Sequence, residues 1–498
     1  MKKLFIILLI FSCNVKEPVQ QTEILGKSTP EAEGISSSAI LDFIEAAEKE
    51  QPDALHSVMI LRHGKIVAEG WWNPYNPESP HLLYSLSKSF TSTAIGLAVS
   101  EGLISLNDPV ISFFPGKAPE NPSENLKSMR IRDLLRMTTG HATDSYGRIK
   151  GHPGGWAAGF LSLPVEHKPG SIFIYNTGAT YMLSAILQKV TGQTLTDFLQ
   201  PRLFDPLEIE KPFWQSDPEG INVGGTGLYV TTRDIAKLGQ LYLQKGKWKG
   251  EQILTEDWVH AATSLQTSNG SNPESDWDQG YGYQFWRCRH NLYRGDGAFG
   301  QYCIVMPQQD AVVAITSGTN DMQGIMNLVW DHLLPAMDSQ SLVQDDESFN
   351  ALNNKLESLA LSTVQGKETV EMAKMISGKK YMMEENVQGI EAFSLNIDQK
   401  DKSITFWTEE GEQSIPVGYN SMLKGEMIMT GLGKVAAASS GAWTSSDTYK
   451  ITMYNYESPH AVTYDIKFDQ NKIVMDSKFN VFLGNPKQPQ MIGTQEKL

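Results

Sequence analysis

The most informative local motif in the sequence is Tyr84-Ser85-Leu86-Ser87-Lys88-Ser89-Phe90. Ser85 and Lys88 are three residues apart, so at a helix start their side chains lie on one face and can meet. A serine hydroxyl is a weak nucleophile until a base lies within hydrogen-bond reach, and a lysine can be that base when burial lowers its pKa. The free N–H groups of a helix start can hold a developing oxyanion. The stretch therefore indicates a candidate nucleophile with a lysine partner.

The residues that follow have helical spacing. Phe90, Ala94 and Leu97 recur at the helical period, and Gly102 then supplies a stop signal. This segment has few charges and many small residues. We therefore expect a helix buried deep in its domain.

Further stretches occur along the chain in the order seen in one known family. They are Leu106-Asn107-Asp108-Pro109-Val110, Ile131-Arg132-Asp133-Leu134-Leu135, Pro169-Gly170, Gly224-Gly225-Thr226-Gly227-Leu228, Arg233-Asp234 and Gly280-Tyr281-Gly282-Tyr283. With residues 84–96, they resemble the serine β-lactamase and penicillin-binding-protein superfamily, particularly its class C-like and esterase branch. The resemblance covers about residues 35–335. It implies that Ser85 is acylated with help from Lys88.

The family's second motif, Y-x-N, falls on Tyr175-Asn176-Thr177. The resemblance makes Tyr175 the candidate base, because a phenol whose pKa is lowered by a nearby ammonium could take the proton from Ser85 and return it to the leaving group. Thr177 stands where asparagine is usual, so the family's side-chain amide contact is in question. Asn176 could partly replace that contact, and both residues are candidates for substrate binding.

The family's third motif is K-T-G or H-x-G, and its best match is Gly295-Asp296-Gly297-Ala298. By position, the backbone N–H of Ala298 would join that of Ser85 as the oxyanion hole. Gly295 replaces the cationic residue that usually anchors a substrate carboxylate. Gly295 and Gly297 are expected to line the substrate site, and the missing cation argues against efficient recognition of penicillins.

The same segment, continued to Gly300, formally satisfies G-x-G-x-x-G. A dinucleotide fingerprint requires a helix after the motif, whereas residues 301–306 are strand-like, so no cofactor is expected. No G-x-S-x-G elbow or H-E-x-x-H motif occurs, and no metal is expected. His141 follows Thr138-Thr139-Gly140 near the expected cleft. It is a candidate substrate contact, although a packed loop histidine is the commoner role.

The order of predicted elements indicates an α/β (α+β) fold. Strand patterns at 57–60 and 64–70 form a hairpin, helical patterns fill the middle at 131–137, 179–191 and 232–244, and strand patterns return at 281–286, 301–306 and 311–317. We expect one antiparallel sheet flanked by helices, with an all-helical subregion, whose first and last strands lie side by side.

The chain divides into five predicted segments. Residues 1–12 are a signal peptide, 13–30 a tether, 31–337 the β-lactamase-like serine hydrolase domain, and 338–370 a linker with a helix. Residues 371–498 alternate between apolar and polar positions with turn signals between them. This pattern predicts a C-terminal antiparallel β-barrel or sandwich domain.

The composition excludes some partners and sites. The 498 residues contain 42 Lys plus Arg and 57 Asp plus Glu, which gives a formal net charge of −15. Proteins that bind nucleic acid usually present a basic face, so no nucleic-acid partner is expected. The three cysteines, Cys13, Cys288 and Cys303, are too few for a disulfide scaffold or a four-thiolate zinc site. Cys288 and Cys303 could form a disulfide or remain buried thiols.

The N-terminus has the pattern of a secretory signal. Lys2 and Lys3 precede an apolar run at 4–11, which is too short to span a bilayer. The ending Ile10-Phe11-Ser12-Cys13 resembles a bacterial lipobox, in which Cys13 is lipidated. We therefore expect an exported bacterial protein, periplasmic or in the outer membrane, that contacts the membrane through a lipid anchor at Cys13.

The prediction is an exported serine hydrolase that acts through an acyl-enzyme on small esters or amides, D-amino-acid peptides included. This substrate class is what the resemblance implies. One alternative is a true β-lactamase or D,D-carboxypeptidase, which the glycine at 295 disfavours. Another is a non-catalytic envelope-binding lipoprotein, which the set of Ser85, Lys88 and Tyr175 disfavours. The sequence leaves the oligomeric state open.

Overall fold

The computed structural model describes residues 25–429 and 433–497. Its α-helices are α1 (Ser37–Glu50), α2 (Ser87–Ser100), α3 (Glu124–Ser128), α4 (Ile131–Leu135), α5 (Tyr146–Ile149), α6 (Trp156–Ser162), α7 (Thr177–Thr191), α8 (Leu195–Leu199), α9 (Thr232–Leu243), α10 (Glu256–Thr263), α11 (Met322–Leu328), α12 (Asp346–Glu357) and α13 (Glu371–Ile376).

The strands belong to two large sheets and two small ones. Strands up to residue 317 are β1 (Leu55–Arg62), β2 (Lys65–Trp71), β3 (His81–Leu82), β4 (Phe213–Trp214), β5 (Leu228–Val230), β6 (Lys247–Trp248), β7 (Glu251–Gln252), β8 (Trp286–Arg287), β9 (Tyr293–Gly297), β10 (Gln301–Met306) and β11 (Ala311–Ser317). The later strands are β12 (Lys380–Met383), β13 (Ile390–Asn396), β14 (Ser403–Thr408), β15 (Gly411–Pro416), β16 (Leu423–Met429), β17 (Gly433–Trp443), β18 (Thr448–Tyr454), β19 (Ala461–Asp469), β20 (Lys472–Phe479) and β21 (Met491–Gln495).

The first large sheet has the order β2-β1-β11-β10-β9-β8, and its neighbouring strands are antiparallel. β1 pairs with β11, so strands from the two ends of this unit lie side by side. One face packs on α9 and the helical region, and the other packs on α1 and residues 322–333. The predicted α/β (α+β) architecture is confirmed.

The helix that begins after Ser85 is the most enclosed in this unit. Residues 87–98 of α2 are all buried, which agrees with the small, uncharged residues of its sequence. Its neighbours include α7 and α8. Because α2 is enclosed on all sides, its first turn is held in a fixed position at the edge of the sheet.

One predicted strand is mostly absent. Residues 281–285 are irregular, and only Trp286–Arg287 at the end of that segment forms a strand. Gln284 has a φ of 65°, in the left-handed region, which interrupts an extended strand. Its side chain is buried and bonded to Thr180 and to the carbonyls of Leu134 and Leu135. Tertiary hydrogen bonding therefore overrides the strand pattern here.

The C-terminal sheet contains ten strands in the order β15-β14-β13-β12-β21-β20-β19-β18-β17-β16. Its two edges meet where the backbone N–H of Ile428 donates to Gln413 Oε1 at 2.7 Å and the Ser439 hydroxyl donates to the Pro416 carbonyl. The sheet is thus a nearly closed antiparallel barrel, which decides between the barrel and the sandwich that the sequence left open. Its interior is a separate apolar core.

The two later cysteines are not bonded to each other, and both are buried. Cys303 faces α9, where its thiol lies 3.4 Å from the Ile235 carbonyl, whereas Cys288 lies 3.2 Å from Arg294. Cys303 packs on one face of the first large sheet, and Cys288 packs on the other. Cys13 lies outside the described residues. Within 25–429 and 433–497, no helix has the length and apolar character needed to cross a bilayer.

Candidate active site

Ser85 lies in a short 3₁₀ turn, Tyr84–Leu86, that leads directly into α2. Tyr84, the residue before it, has a φ of 47°, in the left-handed region that costs energy for a non-glycine residue. The sharp turn places Ser85 at the N-terminal end of the buried helix. The helix start therefore presents the serine to a cleft while its N–H groups point towards the same space.

Lys88 makes three polar contacts through its amine. Its Nζ lies 3.0 Å from Ser85 Oγ, 3.3 Å from Thr177 Oγ1 and 2.7 Å from the carbonyl oxygen of Gly225. The carbonyl can only accept, so one N–H donates to Gly225, and a second is suited to Thr177. In the neutral amine, the remaining lone pair is then available to the Ser85 hydroxyl.

The charge state of Lys88 follows from its burial. Its side chain is 1% exposed, and burial lowers the pKa of Lys88 to about 7, opposed by the negative charges of Asp144 and Asp296. A lysine with this pKa is largely neutral just above neutral pH. Lys88 therefore fits the role of the base that takes the proton from Ser85.

Tyr175 lies beside the nucleophile, where its hydroxyl interacts with the side chain of Ser85. Its ring stacks on Trp286 with centroids 5.2 Å apart, and Lys88 Nζ lies 4.9 Å from the Tyr175 ring centroid. Burial, reinforced by Asp296, raises the pKa of Tyr175 well above its usual value. This corrects the expectation of a lowered phenol pKa: Tyr175 stays protonated and fits a proton donor rather than the first base.

Thr177, which replaces the asparagine of the second motif, still contacts the catalytic lysine. Its hydroxyl lies 3.3 Å from Lys88 Nζ, and its backbone N–H donates to Asp144 Oδ1 at 2.9 Å. Asp144 is exposed and also accepts from the N–H of Tyr146 at 3.0 Å. The threonine thus links the lysine to a carboxylate at the cleft wall.

The turn after β9 supplies the second backbone donor of the site. A Cβ at Gly297 would lie 2.0 Å from the Leu83 carbonyl oxygen, so only glycine lets β9 come this close to the Ser85 turn. Ala298 follows directly and is partly exposed. Among the described residues, no protein acceptor takes the N–H of Ser85 or of Ala298. These two donors are therefore free for an oxyanion.

Three predicted substrate contacts are corrected. Asn176 is fully buried, and its Oδ1 accepts from the Ser145 hydroxyl at 2.6 Å and from the N–H of Ala179 at 3.4 Å, so it caps α7 instead of facing the cleft. His141 is also fully buried, with Nδ1 2.9 Å from Thr139 Oγ1 and its ring against Phe160.

The third correction concerns Gly295. A Cβ there would lie 2.4 Å from Leu86 Cδ1 and 2.5 Å from Ser89 Oγ, inside the packing between β9 and α2. Gly295 therefore serves close packing and does not line the cleft. A lysine at this position would have to displace both side chains before reaching the substrate.

The structure also adds residues that motif reasoning did not select. Gly225 occurs in a stretch noted for the family resemblance, yet only the fold brings its carbonyl to Lys88. Asp144 carries no sequence signal, and neither does His460, whose Nε2 lies 2.6 Å from the Tyr84 hydroxyl across 376 residues of sequence. Asp296 forms a buried ion pair with Arg294 at 2.7 Å.

No group of three or more His, Cys, Asp or Glu side chains that could hold a metal ion is found within the parts of the chain that the structure describes. The groups that meet at Ser85 are a hydroxyl, an amine, a phenol and backbone N–H donors. This combination is suited to nucleophilic acyl transfer through a covalent intermediate.

Comparison with known proteins agrees with this geometry. The Beta-lactamase family model matches residues 45–332. The 6-aminohexanoate-dimer hydrolase of Paenarthrobacter ureafaciens is 25% identical over 331 residues, which cover 61% of this chain and 79% of that protein. A solved structure described as "Putative 6-aminohexanoate-dimer hydrolase from Bacillus anthracis" is 21% identical with a TM-score of 0.53, covering 66% of this chain and 91% of that one.

Proposed function

The chain belongs to the beta-lactamase family and is a serine hydrolase, and we propose that it hydrolyses small esters or amides through an acyl-enzyme on Ser85. The observation that carries the proposal is the contact between Lys88 Nζ and Ser85 Oγ at 3.0 Å, made by a lysine whose pKa burial lowers to about 7. A hydroxyl in contact with a neutral buried amine is an activated nucleophile.

The first step is proton transfer from Ser85 to Lys88 as the serine oxygen attacks the substrate carbonyl. The C–O bond forms, the carbonyl oxygen becomes an oxyanion, and the N–H groups of Ser85 and Ala298 stabilise it. The carbonyl of Gly225 stays bonded to the lysine throughout, and it holds the ammonium that has formed.

The second step expels the leaving group. The raised pKa of Tyr175 keeps it protonated at working pH, and its hydroxyl interacts with Ser85, so its proton can pass to the departing alkoxide or amine while Lys88 returns a proton to the phenol. A water molecule then attacks the acyl-enzyme and gives its proton to Lys88. The bond to Ser85 breaks, the carboxylic acid product is released, and Lys88 returns the proton to Ser85.

The charges of the site favour substrates without a negative group. Asp144 and Asp296 both act on Lys88 and Tyr175, and Gly295 offers no cationic side chain. A carboxylate anchored by a charge-assisted bond gains about 1.5–3 kcal/mol in sheltered sites, and a penicillin would lack that gain here. We therefore place uncharged esters and amides ahead of β-lactams and of D,D-carboxypeptidase substrates.

The name of the Paenarthrobacter relative, a 6-aminohexanoate-dimer hydrolase, supports amides as a substrate class. Parallel kcat/KM measurements with p-nitrophenyl acetate, a D-amino-acid amide and nitrocefin test the ranking. We expect the ester to exceed nitrocefin by about tenfold or more, since about 1.4 kcal/mol already corresponds to a factor of ten. Faster nitrocefin hydrolysis would favour a true β-lactamase.

A fluorophosphonate probe tests the nucleophile directly. Intact-mass analysis should show one adduct on the wild type and none on Ser85→Ala. Ser100→Ala, which changes an exposed serine at the end of the same helix, is the matched control and should label fully. A wild type that neither labels nor turns over any of the three substrates would favour the envelope-binding alternative.

We also propose that the protein is exported and anchored to a bacterial membrane through Cys13. The proposal rests on the sequence of residues 1–13, which lie outside the described residues. Membrane fractionation with acyl labelling should show a labelled membrane protein that Cys13→Ser converts to an unlabelled one. An unlabelled, unprocessed wild type would contradict it.

A further inference from the structure

The barrel contains a cavity at one end. It encloses about 530 Å³, within the roughly 300–1,000 Å³ that is typical of small-molecule sites. Its apolar walls include Phe406, Ile415, Met427, Met453, Val462 and Phe479, and polar residues such as Gln388 and Gln413 also line it. The apolar residues supply aliphatic, thioether and aromatic groups from strands on several sides of the barrel. The cavity is therefore shaped for a hydrocarbon chain.

The cavity opens at the end of the barrel that faces the catalytic unit. The loop between β18 and β19 lies at this end, and there the Tyr75 hydroxyl donates to the Ser458 carbonyl at 2.9 Å. His460 of the same loop lines the cavity and also contacts Tyr84, next to the nucleophile. His460 therefore links the lining of the cavity to the residue that precedes the nucleophile.

The charges at the cavity select among possible head groups. Glu409 and Glu410 are exposed and lie at the rim, while neither Lys nor Arg occurs among the described residues that line the cavity. Val387, also a lining residue, is 69% exposed and extends the apolar surface to the entrance. An acidic rim around an apolar interior complements a cationic head group on an alkyl chain and repels a carboxylate.

We propose that this barrel cavity is a second ligand site, distinct from the Ser85 cleft, that binds the alkyl chain of a single-chain molecule with a cationic head group. The chain lies among Phe406, Met453 and Val462, and the head group lies beside Glu409 and Glu410. The proposal concerns binding alone, so it does not depend on which ester or amide the catalytic unit hydrolyses.

Isothermal titration calorimetry tests the proposal on the full chain with Ser85 already blocked by a fluorophosphonate. The probes are dodecyltrimethylammonium and dodecanoate below their micelle concentrations, which share a chain length and differ in head-group charge. We expect saturable 1:1 binding of the cation and at least about tenfold weaker binding of the anion. Equal binding of both probes would overturn the charge assignment.

Cavity-filling variants locate the site. Met427→Trp and Ile415→Trp each add volume at a lining residue that packs in the barrel interior, and each should weaken cation binding by about tenfold or more. Leu423→Trp lies on the same strand as Met427 but outside the lining and should bind as the wild type does. Melting curves for all three verify folding. The proposed site would be contradicted if a folded cavity-filling variant bound the cation as the wild type does, or if more than one molecule bound per chain.

Discussion

The nucleophile is held by two regions of the molecule in two different ways. On one side, Lys88 is fixed within the catalytic unit by Thr177 and the Gly225 carbonyl, at 3.3 and 2.7 Å. On the other side, Tyr84 is fixed from the barrel by His460, at 2.6 Å. The first region sets the proton chemistry, whereas the second sets the position of the turn. Substitutions on the lysine side should therefore cause large losses of turnover, and substitutions on the barrel side should cause small ones.

The largest effect is expected at Lys88 itself. Lys88→Arg keeps a positive charge but cannot deprotonate, so it should lower kcat/KM for p-nitrophenyl acetate by about 10³-fold or more at every practical pH. Lys237→Arg is the matched control, because Lys237 is also buried but bonds Glu208 and Asp234. Near-normal turnover by Lys88→Arg would show that another group is the base.

A smaller loss is expected at Tyr175. Tyr175→Phe keeps the ring that stacks on Trp286 and removes only the proton donor, so kcat should fall by about 10²-fold. An activated ester with a good leaving group should suffer less than an amide, because its leaving group needs less protonation. Tyr281→Phe, a buried neighbour whose ring contacts Tyr175, serves as control and should stay near wild type. Equal losses for ester and amide would argue against leaving-group protonation.

The lysine side of the site was accessible from the sequence because its key contact is local. Ser85 and Lys88 meet through helical spacing, and the position of Ala298 followed from the third motif. Asn176 and His141 were misjudged because sequence order places them near the cleft, while their burial depends on Ser145 and Phe160, which only the fold brings to them.

The barrel side had no comparable signal. The alternating pattern after residue 371 predicted the β architecture correctly, since strand periodicity is a local property. The contact between His460 and Tyr84 depends on how the barrel packs on the catalytic unit. That packing is a long-range property which no motif encodes.

The pH dependence of turnover sharpens the assignment of Lys88. The base must be neutral, so kcat/KM should rise with pH and level off above the Lys88 pKa of about 7, falling about tenfold for each pH unit below it. The negative charge of Asp144 raises that pKa, so Asp144→Asn should move the acidic limb to lower pH while keeping the oxygen that accepts from Thr177. A limb that stays in place would mean that another group titrates.

The smallest effect is expected at His460, where the barrel holds the turn. His460 Nδ1 lies 3.2 Å from the Val481 carbonyl, which can only accept. Nδ1 therefore carries the hydrogen, and Nε2 accepts from the Tyr84 hydroxyl; burial lowers the pKa of His460 and keeps the ring neutral. One such bond contributes about 0.5–1.5 kcal/mol, so His460→Phe should reduce kcat by about 2- to 13-fold.

His460→Gln tests whether that bond, rather than packing, positions Ser85, because its amide oxygen can accept from the same hydroxyl. It should recover most of the lost kcat, while KM stays within about twofold in both variants. Tyr84→Phe should cost as much as His460→Phe, and the double variant should cost no more than either, because all three remove one shared interaction. Additive losses in this cycle would show that the two residues act separately and that the barrel does not position the nucleophile through this contact.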